Sequence, residues 1–200
     1  LPTDCLRFIN RNENQKPKVL SGDGILPMIT DTLGIFPNAN KEIQLILCVE
    51  GPTDVIAFKA FCRCLREKYP EVIDIENDKR ILVVPLGGSI LKYWVEMQYL
   101  KKLGCPEIHI YDNDVKVYQK SIDEINARGD NSWGVLTKKY EIENYLHSDA
   151  IKAVYNIDVD TDQQNLPAKV AIAYYEANKD KLDGKWKDST SKIYLSKVFT

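Results

Sequence analysis

Four acids stand where apolar runs give way to turns: Glu50 and Asp54 in "VEGPTD", and Asp112 and Asp114 in "IYDND". A helix beginning between Glu50 and Asp54 would let both carboxylates point into one opening, and Asp112 and Asp114, one residue apart, can flank the same opening. Each acid alone also suits a plainer duty, Asp54 as the first-turn acid of a helix and the D-x-D pair as an Asx turn. Together they would be costly. Two unit charges about 4 Å apart repel by roughly 4 kcal/mol at an effective dielectric near 20, and several such pairs rival the stability of a whole domain. A divalent cation removes that penalty, and an all-oxygen donor set suits Mg²⁺ or Mn²⁺. The imidazoles are His109 and His147, and no C-x-x-C pair points to zinc. Such an ion clamps a phosphodiester and lowers the pKa of a bound water that attacks phosphorus. Gly87 and Gly88 in "PLGGS" would let backbone N–H groups approach a phosphate, with Ser89 capping the next helix. A simple tight turn accounts for the glycine pair equally well.

The acids can meet only if the chain folds their strands side by side. Residues 43–50, 80–85 and 107–111 are apolar runs without alternation, each followed by a segment of helical period, at 52–69, 89–104 and 116–129. Residues 133–137 would add a fourth strand. Successive β-loop-α units with continuous apolar runs predict a mostly parallel sheet covered on both faces. In such sheets ligands bind outside the carboxyl ends of the strands, where these acids and glycines fall. Downstream, the spacing predicts a helix from about residue 141, a loop over 156–167 and a helix over 168–181; upstream, a short helix over 25–33 reads as part of a connector.

The chain has 200 residues, with 44 % apolar and 28 % charged types, which excludes disorder and fibrous architectures. Its 27 basic and 29 acidic side chains argue against nucleic-acid binding through bulk positive charge, so any anion must be met locally. Residues 177–200 carry six Lys against three Asp, with Trp186, Tyr194 and Phe199 interleaved; a solvated, partner-packing tail is favoured there over a nucleic-acid patch. Five cysteines, with Cys48 inside an apolar run, fit a reducing compartment, and no apolar run is long enough to span a bilayer. The expectation is a cytoplasmic protein without a membrane partner. The chain opens in mid-flow at Leu1, which reads as a piece of something longer.

"VEGPTD", "PLGGS" and "IYDND" on successive strand ends resemble the Toprim domain, over about residues 43–146. Two features are similar to the nucleases of the OLD (overcoming lysogenization defect) family of ATPase-nucleases. No glycine follows Asp114 closely, as it usually does in topoisomerases and primases, and "KKYEIENYL" resembles the basic-then-acidic segment after the last strands. The resemblance implies two divalent ions, with Glu50, Asp54, Asp112 and Asp114 as metal ligands. It makes Glu143 the later acid, favoured over Glu141, and Lys138 or Lys139 the lysine that neutralises phosphate. It also implies DNA as substrate, an ABC-type ATPase domain upstream in the same chain, and anti-phage defence; homo-oligomerisation or a defence-system partner is compatible with it. No G-x-x-x-x-G-K-[ST] loop occurs in these residues, so no ATP site is expected in them.

The expected fold is therefore α/β and Toprim-like, a Rossmannoid with a central, mostly parallel sheet of about four strands flanked by helices, plus a helical C-terminal extension. Its expected division is a connector at 1–41, the Toprim catalytic domain at 42–147 and the extension at 148–200. The expected activity is metal-dependent DNA endonuclease, with Glu50, Asp112 and Asp114 at its centre. The alternatives are a non-catalytic Toprim-like scaffold that binds DNA or a partner, and a haloacid-dehalogenase-type phosphatase with Asp112 as nucleophile.

Overall fold

A computed structural model describes residues 8–10, 18–20, 43–180 and 188–199. The short helix expected at 25–33 lies outside them. The chain divides into two compact units, Leu1–Ile43 and Gln44–Thr200. In the first, β1 (Phe8–Asn10) and β2 (Lys18–Leu20) pair antiparallel.

The second unit is α/β. Strands β3 (Leu45–Val49), β4 (Ile81–Pro85), β5 (Glu107–Tyr111) and β6 (Trp133–Leu136) form one all-parallel sheet in the order β4-β3-β5-β6. Three helices alternate with them: α1 (Pro52–Lys68), α2 (Leu91–Glu96) and α3 (Val117–Asn126). Central strand β3 has partners on both sides, and Ile46, Cys48 and Val49 are fully buried, as its unbroken apolar run requires. Edge strand β6 instead alternates, with Trp133 and Val135 exposed and Gly134 buried. A Cβ on Gly134 would lie 2.8 Å from Ile122 Cδ1 of α3, so the glycine lets that side chain pack directly on the strand.

The strand order creates the functional geometry. From β3 the chain moves outward to β4, then returns across β3 to β5, so the turns leaving β3 and β5 diverge and open a crevice between them. Glu50 leaves β3 and Asp112 leaves β5 at that switch point.

Beyond β6 come α4 (Ser148–Tyr155), α5 (Leu166–Asn178) and α6 (Asp188–Ser196). They share a core with α1, in which Ala57 and Ala60 meet Ile142, Leu146, Ile151, Leu166, Val170, Leu195 and Phe199. The basic tail expected to be solvated is thus anchored by Leu195 and Phe199 in this core, because those residues recur at helical spacing.

Three local expectations need correction. The helix expected over 89–104 is broken: α2 ends at Glu96, Gln98 takes φ +48°, and a 3-10 turn at Tyr99–Leu103 runs to the left-handed Gly104. Ser89 does not cap α2, which starts after Ile90 without a side-chain cap. The segment expected to be helical from residue 141 is a 3-10 turn, Ile142–Tyr145, followed by extended Leu146 and then α4. The cause is Asn144, whose Oδ1 accepts the Glu141 N–H at 2.8 Å while its Nδ2 donates to the carbonyls of Thr161 and Gln163. A side chain that engages backbone in this way competes with helical continuation.

Candidate metal centre

Glu50 is held from below by the turn after β4. Leu86 N–H donates to the Val49 carbonyl at 2.9 Å and Gly87 N–H to the Glu50 carbonyl at 2.8 Å. Gly87 has φ +77°, and a Cβ on Gly88 would lie 2.6 Å from Glu50 Oε1 and 3.0 Å from the Tyr118 hydroxyl. The close approach of the Glu50 carboxylate thus calls for glycine at 88, and the left-handed backbone favours glycine at 87. The Gly87 N–H already has its acceptor, and Ser89 is exposed. The Tyr118 hydroxyl, from α3, hydrogen-bonds the Glu50 carboxylate.

Asp112 and Asp114 follow β5. Ile142 N–H donates to Asp112 Oδ1 at 2.8 Å, and Lys192 Nζ donates to Oδ2 at 3.2 Å. Glu50, Asp112 and Asp114 each bring a carboxylate oxygen to within 4.8 Å of the others. The sequence-predicted triad therefore converges. Asp54 stands slightly apart, at the third position of α1, with Oδ2 accepting the Gly51 N–H at 2.9 Å. It is buried and acts as the first-turn acid of its helix, while its charge is still felt by Asp112 and Glu143.

Glu141 and Glu143 both face inward, although a regular helix would have turned one of them away. Glu141 Oε2 accepts the Leu166 N–H at 3.1 Å, and Oε1 lies 3.5 Å from Lys192 Nζ. Glu143 is 1 % exposed, lies 3.7 Å from Lys192, and neither of its oxygens has a hydrogen-bond partner.

The lysine of the site is Lys192. Lys138 is exposed and Lys139 is tied to Asp162 at 2.6 Å and to the Asn144 carbonyl at 2.9 Å. Both line a neighbouring cavity of about 360 Å³ with Asn113, Tyr140, Asn144 and Asp162. Sequence reasoning overlooked Lys192 among the lysines of the tail. A signal was there: Lys192 precedes Leu195 and Phe199 by three and seven residues, the spacing of one helix face.

The electrostatics follow first from burial and then from crowding. Burial pushes the Asp112 carboxyl up to about 8 against the opposing pull of Lys192, with repulsion from Asp54, Glu143 and Glu50 adding to the rise. Burial likewise lifts Glu143 to about 7, again opposed by Lys192. Glu50 and Asp54 are raised by burial as well. For Lys192 burial alone would lower the pKa, but Glu143, Asp112, Glu141 and Glu50 together raise it.

These residues fit a hard divalent cation. The donors are all oxygens, and the buried oxygens of Glu50 (Oε2) and Glu143 lack any hydrogen-bond partner, a deficit that a bound cation would relieve. Glu50, Asp112 and Asp114 would hold it.

A second buried group, Cys48, Glu107 and His109, lies deeper in the sheet and was not anticipated. Both ring nitrogens of His109 and one oxygen of Glu107 are already paired. His109 Nε2 meets Glu107 Oε2 at 2.7 Å, its Nδ1 meets the Tyr111 hydroxyl, and Arg128 donates to Glu107 Oε2 at 2.9 Å and to the Val95 carbonyl at 2.9 Å. Burial would raise the Glu107 carboxyl, but its hydrogen bonds from His109 and Arg128 hold it below its ordinary value; burial lowers His109. This is a structural network that staples β5 to the end of α3.

No helix among the described residues is long and apolar enough to cross a membrane. Comparison with protein-family models, with curated proteins and with solved structures returned no match to this chain.

Proposed function

We propose that the chain is a divalent-metal-dependent DNA endonuclease of the Toprim type, similar to the OLD-family nucleases and acting beside an upstream ABC-type ATPase domain in anti-phage defence. The observation that carries this reading is the convergence of Glu50 with Asp112 and Asp114 at the switch point of a parallel sheet. Paired strand-end acids of this kind suit phosphodiester chemistry, in which water adds to phosphorus, one P–O ester bond breaks, and the strand ends leave as a phosphate monoester and an alcohol. Bound Mg²⁺ or Mn²⁺ supplies charge neutralisation at the phosphate and acidifies water.

The chain's own residues do the positioning. Tyr118 hydrogen-bonds the Glu50 carboxylate, and Gly88 leaves the space that carboxylate occupies. Ile142 N–H fixes the Asp112 carboxylate, leaving exposed Asp114 at the mouth, where substrate arrives. The Lys192 side chain is 35 % exposed, so its ammonium holds the acids together and still faces the opening, where it stabilises negative charge growing on a phosphate. Asp54, also buried, adds its charge to the negative field felt by Glu50 and Asp112, which would attract the cation.

Plasmid nicking in Mg²⁺ or Mn²⁺ tests the reading. Glu50→Gln and Asp112→Asn should abolish nicking that EDTA also abolishes, with far-UV circular dichroism unchanged. Undiminished nicking by either variant would remove the triad from the chemistry. Metal binding without cleavage would favour the scaffold, and hydrolysis of a small phosphomonoester instead of DNA would favour the phosphatase.

A further inference from the structure

We propose that the site takes one divalent cation, held by Glu50, Asp112 and Asp114, and that the ammonium of Lys192 stands where a second would sit. The inference rests on the metal-dependent reading above and departs from the two ions that the resemblance implies.

The acids fall into two groups around two centres. Glu50, Asp112 and Asp114 share one, with an oxygen from each inside 4.8 Å. Asp112, Glu141 and Glu143 surround the other, and that centre is already filled: Lys192 Nζ lies 3.2, 3.5 and 3.7 Å from their oxygens. Asp112 bridges the two groups, as a carboxylate shared between adjacent metals does in two-metal sites, whose ions lie about 3.5–4 Å apart.

Glu143 is the independent witness. It is 1 % exposed, and both oxygens are buried without a hydrogen-bond partner. An isolated buried carboxylate is among the most expensive groups a protein can hold. The cation facing it is Lys192. The position of that lysine is built into the fold, since Leu195 and Phe199 anchor the segment in the core and the Tyr155 hydroxyl donates to the Tyr194 carbonyl. A second Mg²⁺ or Mn²⁺ bound between Asp112 and Glu143 would need oxygens at about 2.0–2.1 Å. It would have to enter the space of the ammonium against like-charge repulsion.

The count is read with Mn²⁺ alone, on the full chain, by isothermal titration and electron paramagnetic resonance. The wild type should bind one ion per chain and give the hyperfine pattern of an isolated Mn²⁺. Lys192→Met should bind two, with the broadening of a spin-coupled pair, because removal of the ammonium leaves Glu141 and Glu143 without their cation. Lys192→Arg, which keeps the charge and guards against a folding artefact, should still bind one. Two coupled ions in the wild type, or one in Lys192→Met with the fold intact, would overturn the proposal. No bound Mn²⁺ in the wild type would overturn the metal-dependent reading itself, whereas two ions would overturn only the count.

Discussion

Replacing Asp112 by asparagine should make the metal-free protein more stable while destroying its response to metal. The carboxyl of Asp112 is 3 % exposed and its pKa rises from 3.8 to about 8. Because the pKa is higher in the folded state than in the unfolded chain, the folded state holds the proton more tightly. Metal-free stability therefore falls as pH rises from about 4 to about 8. At about 1.4 kcal/mol per pKa unit, the full shift would cost about 5 kcal/mol near pH 7.5. With a shell that relaxes around the charge, about half of this is realised, on the order of 2 kcal/mol, which moves the unfolding midpoint of a chain this size by roughly 4–8 °C. Asparagine keeps the shape and still accepts the Ile142 N–H at Oδ1, so it mimics the protonated acid. Thermal unfolding in EDTA at pH 7.5 should show the variant melting above wild type. At pH 5 the gap should narrow, because the wild-type carboxyl is then protonated at little cost. Added Mn²⁺ should stabilise the wild type and leave the variant unmoved. If the variant melts below wild type in EDTA, the Asp112–Lys192 pair is net stabilising and the account of a strained, cation-seeking cluster is wrong.

Gly88→Ala should weaken Mn²⁺ binding by about tenfold to a hundredfold with the fold retained, since its Cβ would fall 2.6 Å from Glu50 Oε1; unchanged affinity by titration calorimetry would show that Glu50 is not a ligand. Mg²⁺ affinity should rise by about tenfold per pH unit up to about pH 8 and level off above it, because the cation must displace the proton that Asp112 holds; a flat profile between pH 6 and 8 would take Asp112 out of the ligand set. Arg128→Met should cost about 3 kcal/mol in urea unfolding, because it strips the guanidinium from buried Glu107 and leaves the Val95 carbonyl without that donor. A loss under about 1 kcal/mol would mean that His109 alone suffices to hold Glu107.

The parallel sheet was legible because its signal is local: continuous apolar runs with helical segments between them, each bounded by glycine or proline. The triad was legible for a related reason. Strand-end position is readable from the run that precedes it, and a parallel sheet sends every strand end to the same side. The break at Gln98 was not legible, since Met97 and Gln98 are ordinary helix formers, yet Gln98 takes a left-handed φ of +48°. Nor was the packing demand at Gly88, where a Cβ would fall 2.6 Å from Glu50 Oε1.

Residue types and their order were enough to establish the layered α/β architecture and the side of the sheet on which the acids gather, because these follow from periodicity and from strand-end position. Which lysine answers those charges was a different kind of question. Lys138 and Lys139 are near Asp112 along the chain, but Lys192 reaches it from 80 residues away. That contact depends on how α6 settles against α1 and on the inward aim of Glu141 and Glu143. Packing of distant apolar faces decides it, and no short stretch of sequence records which faces meet.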